Sequence, residues 1–268
     1  MKNKKILIIG GSGALGKTLL KRYHEKNKIT VVSRDEHKHV FLSKQYKNVH
    51  FQIGDVKDKN SIMRALNENK PDIIINAAAL KHVPICESNV YESVKTNIIG
   101  HQNLIDCVNS STFKIEALIF ISTDKACKPI NVYGMSKAIA ERLYVNFSEK
   151  QNKIKVIISR YGNVLESTGS VIPFFKRLLS EKECEFLPIT NKNMTRFLMS
   201  LDDAVDLIEW SYNNVDSHGK IVVPKMRSLR ITDIAEELSM SITGKKIDLK
   251  FIGIRPGEKI NEEMISLE

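Results

Sequence analysis

Thr123, Asp124 and Lys125 stand together in "STDKACKPINVYGMSK", residues 122–137, with Tyr133 and Lys137 further along the same stretch. Residues four apart share one face of a helix, so the spacing predicts a phenol beside an ammonium. A free tyrosine ionises near about pH 10, and a neighbouring cation favours its phenolate. Tyr133 is therefore a candidate base for a substrate hydroxyl, with Thr123 able to hydrogen-bond the same oxygen. The competing expectation is a core tyrosine with a surface lysine. Oxidation of an alcohol needs neither Asp124 nor Lys125. If a sugar C4 hydroxyl becomes a ketone, the C5 proton turns acidic. A base can then take it while an acid expels the C6 hydroxyl as water and the hydride returns to C6. Asp124 and Lys125 supply one acid and one base, unless they are a solvated loop pair. As a base Lys125 must be neutral, which burial or a nearby cation achieves.

Such chemistry requires a hydride acceptor. "GGSGALG" follows an apolar run and opens a helical pattern. Its Gly10, Gly13 and Gly16, with Ser12, Ala14 and Leu15 between them, permit a tight turn that brings a helix N-terminus to a pyrophosphate. The next apolar run ends in Ser33 and Arg34, and a guanidinium suits a 2′-phosphate, so NADP is expected. Asp35 next door keeps NAD as the alternative. Asp55 and Val56, in "GDV", are placed beside the adenine. Ala77, Ala78 and Ala79, in "NAAA", either line the path to the nicotinamide or pack tightly in the core.

The elements that must carry these groups follow from the apolar pattern. Runs at 5–10, 28–33, 50–55, 72–78, 117–122 and 155–164 alternate with helical segments, including a long one at 88–109 and another from about Val132. Strands apolar on both faces and separated by helices predict an α/β fold, a Rossmann-type doubly wound parallel sheet. Residues 1–164 are expected to form the cofactor-binding domain, with sheet elements returning near 192–212. Residues 165–268 are expected to be mainly a smaller substrate-binding part packed against it.

The formal charge of +10 is spread along the whole chain, without basic-aromatic blocks. That pattern predicts a solvated lysine-rich surface or attraction of an anionic small molecule, not nucleic-acid binding. The four cysteines form no CxxC pair, and the seven histidines come close only at His37 and His39, so no metal site is expected. The longest apolar runs fall far short of the roughly 20 residues that span a bilayer. With no signal peptide in the sequence, a cytoplasmic location with reduced thiols is expected.

The "STDKA…YG.SK" core, "AALKHVPICE" (78–87), "SRYGNV…GSVIPFF" (159–175), "MTRF" (194–197) and "GIRPGEK" (253–259) together resemble the inverting UDP-N-acetylglucosamine 4,6-dehydratases of pseudaminic acid synthesis. These are extended members of the short-chain dehydrogenase superfamily. The resemblance runs along nearly the whole chain. Retaining dTDP-glucose 4,6-dehydratases carry Glu where Lys125 stands. A branch making L-fucosamine-type precursors carries Met where Tyr133 stands, although "MTRFLMSLDDAVDLI" is nearer that branch. The resemblance implies Asp124 as acid at C6, Lys125 as base at C5, Tyr133 as base at C4, and inversion at C5. It implies NADP recycled within the reaction, UDP-N-acetylglucosamine as substrate and a homo-oligomer, a dimer or hexamer. Resemblance and charge together assign substrate contacts to Lys81, His82, Asn163, Arg196, Arg255 and Glu258, each with a surface salt bridge as its alternative. Epimerases or reductases of nucleotide sugars on the same fold would use Tyr133 and Lys137 and leave Asp124 and Lys125 idle. A non-catalytic NADP-binding sensor would need none of the four.

Overall fold

Alternate side chains of one strand run into two different cores, which explains the unbroken apolar runs. Ile6 and Ile8 of β1 (Lys5–Ile9) lie in one core with Ile29, Val31, Ile73 and Ile75; Leu7 and Ile9 lie in the other with Val32, Ile74, Leu118 and Phe120. The structure is a computed structural model describing residues 1–165, 167, 169–181 and 184–266. After β1 come β2 (Lys28–Ser33), β3 (Val49–Ile53), β4 (Ile73–Asn76), β5 (Ala117–Ile121) and β6 (Lys155–Ser159). The chain then leaves this sheet to form β7 (Asn163–Val164), β8 (Phe186–Ile189) and β9 (Thr195–Met199). It returns for β10 (Ile221–Val222) and leaves again for β11 (Ser228–Arg230) and β12 (Asp248–Phe251). The large sheet has the order β10-β6-β5-β4-β1-β2-β3, and all of its pairings are parallel.

The helices are α1 (Ala14–Tyr23), α2 (Glu36–Gln45), α3 (Lys59–Asn69), α4 (Val83–Ser88), α5 (Val90–Val94), α6 (Gly100–Asn109), α7 (Val132–Lys150), α8 (Val171–Ser180), α9 (Leu201–Asn213) and α10 (Ile231–Thr243). One side of the sheet carries α3, α6 and α7, whose Ile62, Leu104 and Tyr144 fill the core of Leu7 and Ile9. The other carries α1 and α9, through Leu19, Val205 and Ile208. Segment 88–109 is helical, as its pattern predicts, with a π-helical turn at Lys95–Ile99 joining α5 to α6.

The return near 192–212 differs from expectation. The element that comes back to the sheet there is the helix α9, and the strand that joins the sheet is the two-residue β10. β9 instead pairs with β7 and β11 in a small sheet, and β8 with β12 in another. Likewise the run 155–164 is broken: β6 ends at Ser159 and β7 belongs to the small sheet. A third core, built on Phe175, Leu187, Ile189 and Ala235, unites α8, α10 and the two-stranded sheet.

Candidate active site

The parallel register of β5 and β6 runs from Ala117 opposite Lys155 to Ile121 opposite Ser159. Beyond the last pair the strand ends stay tied: Ser122 N–H donates to Ser159 O at 2.8 Å and Asp124 N–H to Tyr161 O at 2.9 Å. Residues Asp124–Ala126 then wind into one 3₁₀ turn capped by the Thr123 hydroxyl, which accepts from Lys125 N–H at 3.4 Å. Sequence neighbours become site neighbours through this turn.

The start of α7 docks on the same turn. Its cap is Asn131, whose side chain accepts from Gly134 N–H at 2.7 Å. A side chain at Gly134 would put its Cβ 2.2 Å from the Lys125 carbonyl oxygen, so only glycine permits this approach. Tyr133, one residue earlier, is thereby held within hydrogen-bond reach of Thr123. Burial pushes the Tyr133 phenol pKa up; the Thr123 bond opposes the rise and the Asp124 carboxylate adds to it. Lys137 is 2% exposed. Its Nζ donates to Ile121 O at 2.5 Å and lies 4.0 Å from the Phe120 ring centroid. Burial lowers its pKa to about 7, against the pull of Glu141. Burial thus disfavours the charged form of both side chains.

Asp124 is fully buried. Its Oδ1 accepts from the Thr123 hydroxyl at 3.0 Å and from Lys125 Nζ at 3.1 Å. Its Oδ2 has no hydrogen-bond partner among the described residues. Lys125 Nζ also donates to Asn163 Oδ1 at 3.0 Å, so β7 brings the expected Asn163 to the 3₁₀ turn. The other expected substrate residues are placed differently. Lys81 and His82 are exposed on the approach to α4, with the His82 ring against Gly169. Arg255 is exposed, and Glu258 turns its carboxylate back to accept from Arg255 N–H at 3.3 Å. Arg196 requires a correction. It is 8% exposed and its guanidinium donates to the carbonyls of Thr195, Ile260 and Lys259, at 2.7, 3.0 and 3.0 Å. It fastens the C-terminal segment instead of presenting itself to a phosphate.

The glycine turn fits a dinucleotide. Gly10 has φ +77°, and a Cβ there would lie 2.7 Å from Ala78 N, so the turn sits flat on the Ala77–Ala79 backbone. Gly13 is the cap residue of α1, no side chain caps that helix, and its first turn holds no acidic residue. Its N–H groups are thus left for an anion. Gly16 packs on Gly11, Ser12 is buried, Ala14 opens the helix, and Leu15 lies against the core. Asn76 fixes the alanine segment from beneath, accepting from Ala78 N–H at 3.2 Å and donating to the Tyr144 hydroxyl at 3.0 Å.

At the far end Arg34 is half-exposed and its Nη1 lies 3.9 Å from Asp55 Oδ2. Asp35 is occupied: it caps α2 by accepting from Lys38 N–H at 3.0 Å and pairs with Lys38 Nζ at 2.6 Å. Two expected cofactor residues are committed elsewhere. The Ser33 hydroxyl is bonded to buried His39 at 2.6 Å. Val56 is a core residue, packed where Gly100 leaves room.

Sequence reasoning missed Glu262. This side chain, 2% exposed, comes from the C-terminal segment to lie with Oε1 3.6 Å from Lys125 Nζ. It also missed the buried pair beneath the turn. Arg160 Nε and Nη2 donate to Glu141 at 2.9 and 2.6 Å, and Ser122 donates to the same carboxylate at 2.6 Å. No group of three or more His, Cys, Asp or Glu among the described residues is placed to hold a metal ion, and no described helix is long and apolar enough to cross a membrane.

Comparison with known proteins agrees with this layout. The family of polysaccharide biosynthesis proteins matches residues 6–268. The chain belongs to that family. Over 276 aligned residues, covering 99% of the chain and 79% of the relative, it is 44% identical to a UDP-N-acetylglucosamine 4,6-dehydratase (inverting) of Campylobacter jejuni. It is 38% identical to a UDP-glucose 4-epimerase of Rickettsia felis, with the same coverage of both chains. Among solved structures, Pen from Bacillus thuringiensis superposes with a TM-score of 0.90 at 34% identity, covering 98% of this chain and 81% of that one.

Proposed function

We propose that the protein is an NADP-dependent hydro-lyase that removes water across C5 and C6 of UDP-N-acetylglucosamine and inverts C5. The observation that carries this reading is the pairing of fully buried Asp124 with partly buried Lys125 on the turn that also holds Thr123. The similarity to the Campylobacter jejuni dehydratase supports it. When bound, the dinucleotide would supply a hydride acceptor for C4 and a donor for C6. The rest belongs to the chain. Tyr133 takes the C4 hydroxyl proton while Thr123 holds that oxygen. The ketone acidifies the C5 proton, which neutral Lys125 removes. Asp124, holding a proton, passes it to the C6 hydroxyl as it leaves, and once C6 is reduced C5 regains a solvent-exchangeable proton on its opposite face, which inverts it. Asn163 keeps Lys125 in place between turns of the cycle.

NADP in place of NAD is supported by Arg34 standing free of the capping pair while Lys38 occupies the Asp35 carboxylate. The Lys81–His82 approach and the 255–258 turn flank the route that a sugar diphosphate would take. Exposed Val90, Tyr91 and Ile139 on α5 and α7 support assembly as a dimer or hexamer. The product would feed nucleotide-sugar and surface-glycan synthesis.

The similarity to a UDP-glucose 4-epimerase favours a second reading, in which Tyr133 oxidises C4 and the pair at 124–125 is idle. Incubation with UDP-N-acetylglucosamine followed by mass spectrometry separates the two. Dehydration gives a sugar lighter by one water, with deuterium at C5 when the reaction runs in heavy water. Lys125→Ala is expected to stop both. An unchanged mass together with C4 epimerisation, unaffected in Lys125→Ala, overturns the dehydratase reading.

A further inference from the structure

Three groups hold Lys125 Nζ: Asp124 Oδ1 at 3.1 Å, Asn163 Oδ1 at 3.0 Å and Glu262 Oε1 at 3.6 Å. The first two belong to the reaction as proposed above. The third is unexplained, and it comes from a part of the chain that otherwise stands outside the catalytic turn. Three contacts deliver it: Arg196 grips the carbonyls of Lys259 and Ile260, Asn131 Nδ2 donates to Gly257 O at 2.7 Å, and Arg160 Nη1 donates to Met264 O at 2.8 Å. The Glu262 carboxylate, 2% exposed, has an Oε2 without a hydrogen-bond partner among the described residues; its nearest cation is Lys259 Nζ at 3.6 Å. Lys259 itself donates to Cys127 O at 2.8 Å.

We infer that Glu262 is a positioning residue for Lys125, holding its ammonium in the resting site and taking one proton from it before C5 is attacked. This rests on the dehydratase reading. The step balances simply: an N–H bond of Lys125 breaks, an O–H bond forms on Glu262, and an ion pair becomes a neutral pair without change of net charge. Such a conversion is easiest where water is excluded, since low dielectric penalises the separated charges. The charged groups facing the pair are Asp124 beside Lys125 and Lys259 beside Glu262. After C5 is deprotonated, Lys125 is again an ammonium and Glu262 still holds the proton it took; the resting pair returns once Glu262 releases that proton and Asp124 regains the one it passed to the leaving hydroxyl.

Glu262→Gln keeps the shape of the side chain and removes the proton acceptor. It is expected to bind substrate and reduce NADP as the parent does, and to take up deuterium at C5 at least about 10-fold more slowly. The rising limb of its kcat–pH profile should move to higher pH, because Lys125 must then lose its proton to solvent. Glu262→Asp should restore the parent's limb in part. Parental C5 exchange with a parental pH profile in Glu262→Gln overturns the inference. So does a raised KM with an unmoved profile, which describes a merely structural side chain. Should Glu262→Gln melt early, Glu262→Asp decides alone: C5 exchange and a pH profile both equal to the parent's overturn it. Parental C5 exchange in Lys125→Ala sinks the dehydratase reading itself, whatever Glu262 does.

Discussion

Lys137 is the residue whose charge the fold changes most plainly. Its pKa falls from 10.5 to about 7 on burial. Between those values the unfolded chain binds more protons than the native one, so stability of the ligand-free protein should rise with pH across that window. The slope is at most about 1.4 kcal/mol per pH unit. Urea titrations at pH 7 and 8 should show it in the parent and lose it in Lys137→Met. Comparing the two proteins cancels the buried cysteines and tyrosines, whose raised pKa values act oppositely at higher pH. Equal slopes would mean that Lys137 keeps its proton through its Ile121 and Phe120 contacts. Arg34 offers a second test at this scale. Arg34→Ala should weaken NADP at least about 10-fold, the worth of one charge-assisted contact, and leave NAD unchanged. Equal calorimetric losses for both cofactors would remove Arg34 from the 2′-phosphate. Thr123, Asp124, Lys125, Tyr133 and Lys137 were legible because they are neighbours in sequence and one turn plus one helix start keeps them neighbours in space. Arg196 was misread because a guanidinium fork fits three backbone carbonyls as well as it fits a phosphate.

The joint between the 3₁₀ turn and α7 decides the geometry at the level of elements. Gly134→Ala forces a methyl into the Lys125 carbonyl, and the helix must move outward. Overpacking of this kind costs about 1–3 kcal/mol. The larger effect should be kinetic: kcat falls while KM and cofactor affinity hold, because Tyr133 loses its register with Thr123. A variant with normal kcat would show that the turn moves with the helix. Strands β1, β2, β4 and β5 were readable because two-sided burial writes an uninterrupted apolar run into each. β10 was not, since two residues carry no period and its place depends on β6 alone. The π-helical turn was equally silent. It leaves Asn97 bonded to both the N–H and the carbonyl of Leu80, at 2.8 Å each, a contact that no local pattern announces.

For the whole molecule, the Arg160–Glu141 pair joins layers that are otherwise separate. Glu141 is on α7, Arg160 follows β6, and the same guanidinium reaches Met264 in the C-terminal segment. Glu141→Leu strands a guanidinium only 11% exposed, so a loss of about 3–5 kcal/mol in unfolding free energy is expected. A loss below about 1 kcal/mol would equate the pair with one on the surface. Contacts of this reach lie beyond single-sequence reasoning, because nothing local marks partners that stand over a hundred residues apart. The same separation has a temporal side. Lys125 meets Glu262, and Asn131 meets Gly257, only after the chain has been made past those residues. On a ribosome, which releases the N-terminal part first, the glycine turn and its sheet can assemble and take up a dinucleotide while Lys125 still lacks its last neighbour. Newly made protein would therefore be holo before it is competent, and an interrupted chain would carry cofactor without removing water.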